Sequence, residues 1–168
     1  MNKLQLQMSR VDLSNIVIEA VEVIRPAAES KGIDVEVAVP REECVVDGDP
    51  VRLEQILWNL MQNAVKFTSA GGHIEVRLAS DGRFARVIVS DDGDGITADL
   101  LPHLFDPFRQ GDGAASKGGL GLGLSISRYL AAAHGGTIEV ESEGAGKGAR
   151  FTFKMPLESA APELRSGG

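Results

Sequence analysis

Asn59 and Asn63 stand four residues apart in Asn59-Leu60-Met61-Gln62-Asn63-Ala64-Val65-Lys66-Phe67, and residues at that spacing share one face of a helix. Around the wheel, Arg52, Gln55, Asn59, Asn63 and Lys66 form a polar stripe. Beside it runs an apolar stripe of Leu53, Ile56, Leu57, Leu60 and Ala64, which is expected to be buried. A polar stripe next to the core stripe suits the wall of a cleft. Carboxamide oxygens are hard metal ligands and Lys66 adds positive charge one turn on, so the set predicts a magnesium and phosphate site.

Two glycine clusters follow. Ser90-Asp91-Asp92-Gly93-Asp94-Gly95-Ile96 comes at the end of a strand-like run, where glycines let the backbone turn tightly and approach a ligand. An aspartate there can accept a hydrogen bond from an exocyclic amine, one way to read adenine. Lys117-Gly118-Gly119-Leu120-Gly121-Leu122-Gly123-Leu124-Ser125 runs into a helix, and amides exposed at a helix N-terminus form an anion site. Either cluster alone reads more readily as simple turn chemistry. In order after the asparagine helix, they point to a nucleotide. No Gly-Lys-Ser/Thr follows at Walker spacing, and the βαβ context of a dinucleotide fingerprint is missing.

The elements that must position these residues are legible from patterning. Residues 11–31 repeat apolar positions at helical spacing, with Asp12 as N-cap, Gly32 as stop and a kink at Pro26. Residues 33–39 alternate as a strand, and 44–46 form a short second one. Asp49-Pro50 caps and opens the asparagine helix. Residues 73–80 and 83–90 flank Asp81-Gly82, a strong hairpin signal. Residues 137–142 and 149–155 read as another strand pair, preceded by a helix over 122–134. Helices with an antiparallel-rich sheet give an α+β, two-layer α/β sandwich.

Composition narrows the function classes. The 168 residues suit one domain with tails. There is no run of 18 apolar residues and no secretory signal, so neither a membrane span nor direct membrane contact is expected. Cys44 is the single cysteine, which excludes an intrachain disulfide and fits a reducing cytosol. A net charge of -7 without a basic stripe argues against nucleic acid as the partner.

Taken together, Asn59…Asn63-Ala64…Lys66-Phe67, Asp91-x-Gly93-x-Gly95, Leu104-Phe105-Asp106-Pro107-Phe108-Arg109 and Gly119-x-Gly121-x-Gly123 resemble the catalytic ATP-binding domain of sensor histidine kinases. These belong to the GHKL superfamily of gyrase, heat-shock chaperone, histidine kinase and mismatch-repair ATPases. The resemblance spans about residues 10–157 and leaves 1–9 as the remnant of a dimerisation helix or linker and 158–168 as a tail. It implies a GHKL-type sandwich, with a mixed, mostly antiparallel sheet covered on one face by about three helices, binding ATP or ADP with Mg2+. Asn63 then resembles the magnesium ligand, with Asn59 as its polar companion near the phosphates. Lys66 matches a phosphate contact and Phe67 an aromatic beside the nucleotide. Asp91 resembles the acceptor of the adenine amino group, with Gly93, Gly95 and Ile96 shaping the base pocket. Gly119, Gly121 and Gly123 would offer amides to the phosphates over Leu120, Leu122 and Leu124. Residues 104–118, beginning with Leu104 and Phe105, would form the ATP lid, with Arg109 as γ-phosphate contact. Asn59, Lys66 and Arg109 are the catalytic candidates.

The departures also carry information. Where many relatives have threonine just before the final Phe-x-Phe strand, this chain has Arg150. Thr152 could supply that hydroxyl only if alternation turned it inward. Asp94 stands where proline is common. Phe105 and Phe108 read as packing aromatics rather than base stackers, Lys117 as solvated, and His134 as compensation for a helix dipole. None of the three histidines sits in the His-Glu/Asp context of an acceptor. The resemblance therefore implies an acceptor histidine on a separate dimerisation domain, a downstream response regulator, and little autophosphorylation by this chain alone. It further implies a monomeric, cytoplasmic domain, free or as the cytoplasmic part of a membrane-bound receptor. A GHKL hydrolase or anti-sigma-type serine kinase would carry glutamate at position 59, whereas asparagine cannot act as a general base. A nucleotide-sensing or interaction module derived from a kinase is the non-enzymatic alternative.

Overall fold

The asparagine helix is set up at its first residue. Asp49 accepts hydrogen bonds from the Val51 and Arg52 amides at 3.1 and 3.3 Å. Pro50 takes the first helical position, where its missing N–H costs nothing. In the computed structural model, which describes residues 5–107 and 123–158, this helix is α2 (Pro50–Phe67). Leu53, Ile56, Leu57, Leu60, Met61 and Ala64 are buried along it, as the apolar stripe predicts. Burying one such leucine stabilises the fold by about 1.5–3 kcal/mol relative to leaving it exposed.

Ahead of α2 lie β1 (Ser9–Asp12), α1 (Leu13–Ser30), β2 (Asp34–Ala38) and β3 (Val45–Gly48). Asp12 caps α1 through the Ser14 amide and also accepts from the Cys44 amide, so one side chain ties α1 to the start of β3. The helix continues through Pro26, which removes one intrahelical bond. It ends in a Schellman turn: Gly32, at φ 73°, donates to Glu29 O, and Ile33 donates to Ala28 O. Residues 5–8 form no helix, and the Gln7 amide donates to Asp49 Oδ2 at 2.9 Å.

After α2 come β4 (His73–Ser80), β5 (Phe84–Asp91), a 3-10 turn at Leu101–His103, α3 (Gly123–Ala133), β6 (Thr137–Glu141) and β7 (Ala149–Pro156). The main sheet has the order β2-β4-β5-β7-β6. Only the β2-β4 pair is parallel, and β1-β3 forms a separate antiparallel pair. This is a mixed, mostly antiparallel sheet covered on one face by three helices, as expected.

Alternation decides which residues meet the helices. Val76, Val89, Phe151 and Val140 lie side by side across the sheet, as do Leu78, Val87, Phe153 and Ile138. Most of these are fully buried. Asp91 shares the parity of Val87 and Val89, so it emerges at the end of β5 on the helix side, opposite Ile74 and Ala149. Among the described residues no helix is long and apolar enough to cross a membrane.

Candidate nucleotide-binding site

One wall of the site is α2, joined to its neighbours at both levels where the predicted polar residues lie. At mid-helix, Asn59 Nδ2 donates to Gly123 O at 3.2 Å and to Ser127 Oγ at 2.9 Å, both on the first turns of α3. Asn63, one turn on, is half-buried, and its carboxamide makes no hydrogen bond among the described residues. Lys66 Nζ lies 5.7 Å from the centre of the Phe67 ring. The last carbonyls of the helix are satisfied from outside: Lys31 Nζ donates to Val65 O and Lys66 O, and the Asp94 amide donates to Phe67 O at 2.9 Å. A cation at this end also opposes the helix dipole.

The Asp91 loop is fastened to the end of α2 and to the loop before β7. A Cβ on Gly93 would collide with the Phe67 carbonyl, and one on Gly95 would collide with Gly144 O. Both glycines thus allow a close approach of protein backbone. Ile96 is buried, and its amide donates to Ser142 Oγ at 2.9 Å. Ser142 in turn donates to Gly148 O at 2.7 Å, while the Gly146 and Gly148 amides donate to Asp94 O and Gly93 O. No role was expected of this second loop, the connection between the last two strands. Its signal was the Ser-x-Gly-x-Gly-x-Gly spacing at 142–148.

Asp91 Oδ1 accepts from the Gly93 amide at 2.9 Å. Burial pushes its carboxyl above the usual carboxylate range, with Asp92 and Asp94 adding to the rise and the Gly93 and Ala149 amides opposing it. A carboxyl on the helix side whose ionisation its surroundings oppose is a candidate functional group.

β7 corrects the reading of position 150. Arg150 is exposed and shares a parity with Thr152, opposite to that of the buried Phe151 and Phe153. Thr152 therefore points away from the helix side and cannot supply the hydroxyl. The β7 residue opposite Asp91 is Ala149, which brings no hydroxyl either.

Leu104, Phe105 and Leu124 are partly buried and pack against the core. The Arg128 guanidinium stacks 4.6 Å from the Phe105 ring centre, consistent with a packing role. Phe108, Arg109, Lys117, Gly119, Leu120, Gly121 and Leu122 lie outside the described residues, while Gly123 opens α3.

The histidines fall elsewhere. His134 is buried; its Nδ1 donates to Leu130 O at 2.8 Å and its Nε2 accepts from the Asp49 amide at 3.0 Å. Those partners fix one neutral tautomer, so the ring pins α3 to the start of α2 rather than merely offsetting a dipole. His103 pairs with Asp106, and His73 with Asp34 on the outer face of the sheet.

With this geometry established, comparison with known proteins is decisive. Residues 48–159 match the family described as histidine kinase-, DNA gyrase B- and HSP90-like ATPases. The chain belongs to this family. Its fold and ordered motifs are those of the ATP-binding catalytic domain of sensor histidine kinases. The sensor protein CutS of Streptomyces coelicolor is 42% identical over 149 residues, covering 86% of this chain and 36% of that protein. The catalytic domain of the histidine kinase ThkA superposes with a TM-score of 0.80 at 29% identity, over 90% of this chain and 99% of that one. Full-length ShkA, solved in complex with AMPPNP, gives a TM-score of 0.81 at 36% identity, over 93% of this chain and 32% of that one. The chain thus spans about a third or less of the length of the curated relatives.

Proposed function

We propose that this domain binds ATP with Mg2+ along α2 and passes the γ-phosphoryl group to a histidine on a separate dimerisation domain, upstream of a response regulator. The observation carrying this reading is the state of the α2 wall: the Asn63 carboxamide makes no hydrogen bond among the described residues, while the helix end is stitched to the loop bearing Asp91. A hard oxygen donor left open beside a lysine suits a metal–phosphate pair. Asn63 would hold the magnesium, whose charge would offset that of the phosphates.

The protein groups divide the remaining work. Asp91 accepts the base amine, with Gly93, Gly95 and Ile96 holding that loop in place. Asn63 is the metal ligand and Asn59 its companion. Lys66 and Arg109 stabilise charge, and Gly119, Gly121 and Gly123 offer amides to the phosphates over Leu120, Leu122 and Leu124. Leu104 and Phe105 open the lid. Residues 10–157 form the catalytic unit. The acceptor histidine lies on the partner, because His134 has both ring nitrogens engaged in the interior.

A hydrolase is disfavoured: the Asn59 amide nitrogen donates to two acceptors on α3, and a carboxamide cannot take a proton from water. A sensing module would bind ADP without transfer. The test is calorimetry of ADP with Mg2+, together with a phosphotransfer assay supplying a dimerisation domain in trans. Asn63→Ala is expected to lower magnesium-dependent affinity roughly tenfold or more, the scale of one lost charged hydrogen-bond equivalent. Unchanged affinity would remove Asn63 from the site, and tight ADP binding with no transfer would favour the sensor.

A further inference from the structure

We propose that Ser127 is a positioning residue for the phosphate end of this site, acting through Asn59; the inference rests on the magnesium reading above. Ser127 is fully buried on α3, where a lone hydroxyl among apolar neighbours is costly unless it is bonded. Its partner is the Asn59 amide nitrogen at 2.9 Å, and the same nitrogen reaches Gly123 O at 3.2 Å.

The second contact settles the orientation of the carboxamide. A backbone carbonyl only accepts, so the atom facing Gly123 must be the NH2 group, and both of its hydrogens are then taken. Asn59 Oδ1, which makes no hydrogen bond among the described residues, is left as the acceptor, the hard oxygen that a metal, a metal-bound water or a phosphate-side donor can use. Without the hydroxyl, one of the two constraints on the amide is gone and the carboxamide can turn about its terminal torsion, which is intrinsically broad.

The latch also acts on the chain path. Gly123 is the residue at which α3 begins. Asn59 thereby holds the start of α3 against the middle of α2, and Ser127 braces that grip one turn further along α3. The hydroxyl itself stays behind Asn59, in the α2–α3 interface. It touches neither nucleotide nor metal.

A role through Asn59 has a signature that simple packing lacks. The probe is ADP, titrated calorimetrically with and without Mg2+ into the unaltered chain, Ser127→Ala, Asn59→Ala and the double variant. Ser127→Ala is expected to lose roughly fivefold to tenfold of the magnesium-dependent gain in affinity, the scale of one hydrogen bond. Metal-free ADP affinity, which reads the Asp91 end and reports a folded chain, is expected to be unchanged. In the Asn59→Ala background, Ser127→Ala is expected to add nothing, since two residues acting through one group do not add. Ser127→Thr, which keeps the hydroxyl, is expected to restore part of the gain.

Equal losses with and without Mg2+, or an additive double variant, would overturn the positioning role. Loss in Asn63→Ala with none in Ser127→Ala would overturn it while leaving the magnesium reading intact. No loss in either would remove both.

Discussion

Asp49 and Asp91 sit at the two ends of α2 and are held in opposite states. The Asp49 carboxylate accepts from the Gln7, Val51 and Arg52 amides, and these bonds, that from Gln7 foremost, hold its pKa below the ordinary value. Asp91 has a Gly93 amide on one oxygen, but burial outweighs its hydrogen bonds and pushes its pKa up. Asp49 is thus favoured as a carboxylate where it caps α2, whereas the surroundings of Asp91 oppose its ionisation. Two residues of one type, on either side of one helix, are held in opposite ways, and in the function proposed above only the second meets the ligand.

Three changes would sharpen or break that contrast. The largest effect is expected from Asp91→Ala, which should weaken ADP binding on the order of a hundredfold, as for a lost hydrogen bond to a buried charged group. Its unfolding free energy without nucleotide should not fall. Calorimetry and urea unfolding together check this, and a destabilised Asp91→Ala chain with normal affinity would invert the assignment. Asp49→Ala should show the reverse pattern. Loss of a helix N-cap costs about 1–2 kcal/mol, with ADP affinity close to that of the parent once the chain is folded.

The smallest effect is the pH dependence of stability without nucleotide. Asp49, with a depressed folded pKa, contributes stability that is complete above the usual aspartate pKa of about 3.9 and is lost as pH falls through the folded value. Asp91, with a raised folded pKa, gives a contribution that is complete below the usual aspartate pKa and is lost as pH rises through the folded one. Unfolding free energy should therefore decline slightly from about pH 4 upward, and Asp91→Asn should flatten that decline. A slope unchanged in Asp91→Asn would assign it to other groups.

The contrast also shows what the sequence could disclose. Periodicity placed α2 and its buried stripe, and Asp-Gly placed the β4–β5 hairpin, because both signals are local. Asp91 was placed at a strand end by its glycine-rich neighbours, while its face followed only from the register of β5. Contacts between distant positions had no such signature. The Asn59–Ser127 bond, the Asp49–His134 bond and the capping of α2 by Lys31 each join different elements, and His134 was read as a dipole group because its partner lies near the start of another helix. The hydroxyl question at Arg150 and Thr152 turned on parity: both alternate with the buried Phe151 and Phe153, so both face away from the helices. Gly93 and Gly95 were recognised as sites of close approach, but residue type cannot say whether a ligand or a carbonyl comes close.

Among the described residues the sheet has two unpaired borders, β2 and β6, each only five residues long. A bare border is an invitation for another chain to add itself as a further strand. Here Asp34 and Glu36 line one border, and Glu139 and Glu141 the other. Two copies approaching border to border can bring carboxylates to face one another, and facing like charges disfavour strand addition. The acidic borders thus make self-pairing of this sheet costly.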